Sequence, residues 1–125
     1  MVTIEISQID EACAAWQNTL REQRTHFGAL KEQLLQIAAN QHNPESLREI
    51  EHLQNQFYIQ LINIHDLKHA IREHAQLIGW ERRQHHQITD ATLAAHNVLH
   101  DQVAHLLQTL RQVEDEFKTF ASSLQ

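Results

Sequence analysis

Apolar residues recur along this chain in alternating steps of four and three. In the first segment Ile9, Cys13, Trp16, Leu20, Phe27, Leu30, Leu34 and Ile37 follow that step, and only Gln23 interrupts it. The spacing places them on one stripe of a helix. A stripe sustained for about four heptads predicts a helix that packs lengthwise on others. Ser7, with Asp10 three residues on, predicts the helix start. Gly28 lies inside the stripe and predicts the close approach of a neighbouring helix.

The clearest break is Asn40-Gln41-His42-Asn43-Pro44. Asn43 suits an N-cap, and Pro44 suits the first helical turn, where a missing N–H costs nothing. A second helix then carries Ile50, Leu53, Phe57, Leu61, Ile64, Leu67, Ile71, Ala75 and Ile78 on one broad face. Tyr58, Ile59 and Ile62 fall outside that face. A helix apolar on more than one side is usually covered by a partner, so these three residues are the expected interface. The third stripe runs through Leu99, Val103, Leu106, Leu110, Val113, Phe117, Phe120 and Leu124, with Thr89 as its expected cap and Ile88 and Leu93 as a staple.

No Gly or Pro marks the turn between the second stripe and the third, and one continuous helix from Pro44 to Ser122 would be about 120 Å long. Its seam would be polar at Arg82, His85, Thr89, Thr92 and His96, which gives a partner nothing to bury. A hairpin near 85–88 removes that difficulty. The expected fold is therefore all-α: one domain over residues 1–125, an antiparallel bundle of three long helices at roughly 7–39, 44–86 and 89–122, packed as in a coiled coil.

Composition narrows the function classes. The chain has 125 residues, 42% of them apolar, and a formal charge of −6 with histidines neutral. An acidic balance with one basic doublet, Arg82-Arg83, argues against nucleic acid, which needs clustered Lys and Arg. No apolar run approaches membrane-spanning length, and MVTIEIS has no basic n-region. Cys13 is the single cysteine, so no intrachain disulfide forms. A soluble, cytoplasmic, non-enzymatic protein is expected.

Histidine is the unusual component. There are eleven, and full protonation would carry the formal charge from −6 to +5. The spacing H-x3-H-x4-H occurs twice, at His65, His69, His74 and at His96, His100, His105. On a helix, residues four apart share a face, whereas a ninth residue falls on the opposite side. The usable pairs are thus His65/His69, extended by Glu73, and His96/His100. Such i,i+4 pairs suit a divalent transition metal such as zinc, nickel or copper. His74 and His96 fall near the apolar stripes, where a hydrogen-bonded core histidine makes stability pH-sensitive.

Two local resemblances accompany these readings. His69-x3-Glu73 with His96-x3-His100 is similar to part of the ligand pattern of hemerythrin-like di-iron bundles. No H-x4-D follows His100, and a fourth ligand-bearing helix is absent. Ile64-His65-Asp66-Leu67-Lys68 resembles the phospho-acceptor box of two-component histidine kinases and the core of histidine phosphotransfer domains. That resemblance implies His65 as phosphoryl acceptor, Asp66 as base and Lys68 as a partner for phosphate charge. It covers five residues and departs at His69, Ala70 and Ala75. The leading expectation is an interaction or scaffold module that acts through helix packing, as a homodimer or with a helical protein partner. A histidine-based metal site and phosphotransfer through His65 are the alternatives.

Overall fold

The computed structural model describes residues 6–124. The chain forms three helices, α1 (Ile6–Ala38), α2 (Pro44–His85) and α3 (Asp90–Ser123), packed as an all-α bundle with no strand among the described residues. Short turns make α2 antiparallel to both of its neighbours. α1 and α3 pack mainly on α2 and touch each other less.

Local chemistry sets the helix ends. Asn43 is extended, its side chain accepts from the Glu45 N–H at 2.8 Å, and Pro44 opens α2. The hairpin is present. At its C-terminus α2 stops at His86, which adopts a left-handed conformation (φ 56°) while its N–H bonds to the Arg82 carbonyl. Thr89 caps α3 by accepting from the Thr92 N–H. Ser7, by contrast, lies inside α1 and does not cap it, and Asp10 instead pairs with Arg82 across to α2. Gly28 is not a contact point either, because a Cβ there would meet no atom within 4 Å. The neighbouring helix stays clear of that position.

The core runs the length of the bundle. At its middle each helix contributes one phenylalanine: Phe27 and Phe57 meet edge to face at 5.7 Å, and Phe57 and Phe117 at 5.5 Å. Ile9, Leu20, Leu34, Leu53, Ile64, Ile71, Ile78 and Leu110 are fully buried around this layer. Along α2 the buried face differs from the expected one. Gln60, His74 and Glu81 are buried, whereas Leu61, Leu67 and Ala75 are only partly covered. The seam therefore steps Phe57, Gln60, Ile64 and Ile71, His74, Ile78, Glu81, with polar residues at positions that face a partner.

Candidate functional site

The polar seam positions concentrate near the hairpin end of the bundle. α1 brings Cys13 and Trp16, α2 brings His74 and Glu81, and α3 brings Thr92 and His96; all but Trp16 are buried. His74 Nε2 lies 3.1 Å from His96 Nδ1, and the two rings stack at 5.3 Å. Trp16 also stacks on His96 at 4.8 Å and tilts toward His100 at 6.2 Å. One donor atom from each of Cys13, His74 and His96 lies within 4.8 Å of the other two.

Burial determines the protonation of this trio. Loss of hydration lowers the pKa of His74, partly opposed by the negative charge of Glu81. Loss of hydration also lowers that of His96, reinforced by the nearby His74 and His100. Desolvation raises the Cys13 thiol. All three are therefore uncharged at neutral pH, and one imidazole donates its proton to the other across the 3.1 Å contact.

A carboxylate closes the same end. Glu81 is 2% exposed, and its oxygens accept from the Thr89 N–H at 2.9 Å and the Thr92 hydroxyl at 2.5 Å. Those bonds hold its pKa below the usual carboxylate value, against the opposing effect of burial. Thr89 in turn donates its hydroxyl to that of Thr92. Glu81 thus ties the last turn of α2 to the first turn of α3. No buried side-chain nitrogen or oxygen among the described residues lacks a partner.

The residues expected from the sequence separate into two groups. His96 lies in the buried trio, and His74 beside it is the hydrogen-bonded core histidine that its position on the stripe suggested. His65, His69, Glu73 and His100 are solvent-exposed, and among the described residues none of them joins a cluster of three donors. His69 and Glu73 face each other at 3.0 Å as an i,i+4 pair, while His100 sits beside Asp101. His65 and Asp66 are both exposed, with Nδ1 and Oδ1 3.4 Å apart, and Lys68 stands near the positive charges of Arg24, Arg21 and Arg72. Tyr58, Ile59 and Ile62 are 63%, 45% and 42% exposed.

Cys13 as a potential ligand and Glu81 as a turn lock were not legible from local motifs. Cys13 reads as an ordinary seam residue until the fold sets two histidines opposite it. A second cluster, Glu49 with His52 and Glu116, lies at the other end of the bundle and is open to water. Burial, then a hydrogen bond with Glu116 and its negative charge, raise the pKa of Glu49, while His52 opposes the rise. No family model, curated protein or solved structure matches this chain.

Proposed function

We propose that the protein is a non-enzymatic helical module that holds one soft or borderline transition-metal ion, of the zinc or copper(I) type, through Cys13, His74 and His96. The observation that carries this reading is the convergence of one donor from each of three helices within 4.8 Å. Thiolate and imidazole are the ligands such ions prefer. Two nitrogens bound to one zinc at about 2.0–2.1 Å stand about 3.3 Å apart in tetrahedral geometry, close to the spacing already present.

The chemistry of loading follows from the protonation states. Both imidazoles are already neutral, so protons do not compete for them at neutral pH. For both facing nitrogens to ligate, the ring that donates across the contact would carry its proton on its own other nitrogen instead, which is a change of one tautomer. Cys13 would release its proton to water on loading, and the charge of a bound metal would make the buried thiolate tolerable. A ligand from each helix would make metal binding a cross-link of the whole bundle, and its binding energy would add to folding stability. A free thiol ligand fits a reducing compartment such as the cytoplasm.

Protein purified without nickel resin and titrated with zinc, copper(I) and cobalt(II) tests this. One equivalent should bind, raise the melting temperature, and give a thiolate charge-transfer band with cobalt. Cys13→Ser and His96→Gln should each abolish the band, whereas His65→Gln and His69→Gln should leave it intact. Binding that survives Cys13→Ser rejects the site.

A second reading is self-association through α2. Tyr58, Ile59 and Ile62 present aromatic and branched side chains to solvent on the central helix, which supports a homodimer or a helical partner there. Sedimentation at micromolar concentration separates the readings. A single 14.6 kDa species removes the homodimer and leaves the metal site standing.

A further inference from the structure

Positive charge is distributed unevenly over this acidic protein. It has ten lysines and arginines, and four of them, Arg21, Arg24, Lys68 and Arg72, gather on the α1–α2 face. The Lys68 ammonium is held below its ordinary value by loss of hydration and then by the charges of Arg24, Arg21 and Arg72. Arg82 and Lys118 elsewhere are paired with Asp10 and Glu114. Among the described residues, none of the four on this face has a carboxylate within ion-pair distance. Asp66 and Glu73, on the same helix as Lys68, lie against His65 and His69 instead. Arg21/Arg24 and Lys68/Arg72 are also helical neighbours at i,i+3 and i,i+4, where like charges destabilise. A fold that collects unpaired cations in this way has a place for an anion.

The surface there is hollow. Arg24, His65, Lys68, His69 and Arg72 line a cleft of about 240 Å³. A second hollow of about 340 Å³ adjoins it, sharing Arg24 and His65 and adding Lys31, Tyr58, Leu61 and Ile62. Gly28 lies between Arg24 and Lys31 on the same stripe of α1, with open space where a side chain would stand.

We infer that these two hollows form one binding site for a small molecule that carries a phosphate group on an apolar or aromatic body. The guanidinium groups of Arg24 and Arg72 offer paired donors that match phosphate oxygens, and the Lys68 ammonium adds a point charge. Tyr58 and Ile62 supply an aromatic and an apolar wall for the rest of the ligand. The second hollow, at about 340 Å³, lies at the low end of the span usual for small-molecule sites, roughly 300–1,000 Å³ for drug-sized ligands, and the cationic cleft borders it through Arg24 and His65. The cations occupy a short stretch of two helices on a chain of net charge −6, which suits one phosphate group rather than a nucleic-acid backbone. The site shares no residue with the Cys13–His74–His96 trio, so either can stand without the other.

Phenyl phosphate, inorganic phosphate and phenol, titrated separately into the isotope-labelled full chain and followed by NMR, test the inference. Phenyl phosphate should saturate and shift resonances of Arg24, Lys68, Arg72 and Tyr58. Inorganic phosphate should bind the cationic cleft more weakly, and phenol should scarcely bind. The double substitution Arg24→Gln, Arg72→Gln should weaken phenyl phosphate about tenfold or more, in keeping with loss of two charge-assisted contacts. It should not lower the melting temperature, because it relieves like-charge repulsion; Arg72→Gln alone serves as the milder variant. Tyr58→Ala should weaken phenyl phosphate while leaving inorganic phosphate unchanged. The site is rejected if phenyl phosphate gives no saturable shift at millimolar concentration, if phenol binds equally well, or if both arginine variants bind like wild type.

Discussion

His74 and His96 share a hydrogen bond of 3.1 Å in the core, between α2 and α3, with Trp16 of α1 stacked on His96. The pair is neutral because burial opposes its charge, and the groups around it are Cys13 on α1, Glu81 on α2 and His100 on α3.

A pH dependence follows from that neutrality. Both histidines have folded-state pKa values lowered from an ordinary value of 6.5. The unfolded chain therefore binds more protons as pH falls below about 6.5, and stability present above that pH is lost on acidification. Urea midpoints measured from pH 8 to pH 5.5 should fall, and His74→Phe with His96→Leu should flatten the lower part of the curve. A midpoint constant across this range in the wild type contradicts the burial of the pair.

The carboxylate of Glu81 bridges the hairpin, so its loss should loosen the α2–α3 turn. Glu81→Ala leaves the Thr89 N–H and the Thr92 hydroxyl without their acceptor and should cost about 1–3 kcal/mol in chemical denaturation. Its pKa is lowered from 4.5, so the stability it confers is present above that pH and declines below it. The acid limb of the stability profile should be shallower in Glu81→Ala.

Phe57 touches both Phe27 and Phe117 and is fully buried. Phe57→Ala removes the centre of the aromatic layer and should destabilise by about 3–5 kcal/mol, read as a lower denaturation midpoint with an unchanged slope.

Gly28 should behave in the opposite sense. It is helical, and an added Cβ meets nothing within 4 Å. Gly28→Ala should stabilise the protein by about 0.5–1 kcal/mol, since it reduces the backbone entropy lost on folding. A destabilised variant would show that α1 is approached at this point after all.

Asn43 closes the α2 N-terminus through the Glu45 N–H. Asn43→Ala should cost about 1 kcal/mol, and Asn43→Asp should restore most of it. Thermal melts of the three proteins decide this directly.

The sequence by itself determined the three helices and nearly all their limits. A four-and-three apolar step admits no other regular structure, Asn43-Pro44 opens α2, and the polar run from Arg82 to His96 favours a hairpin over one continuous helix. The tertiary structure alone decided which neighbours on each stripe turn inward. Adjacent helical residues differ by about 100° around the axis, so a small rotation of α2 between two partners buries Gln60 and His74 in place of Leu61 and Ala75. It also decided that Cys13 meets two histidines and that Glu81 accepts from the next helix, because those contacts join residues far apart in the chain. A seam pattern shows that a residue faces a partner; only the packed register of the three helices shows which side chains it meets there.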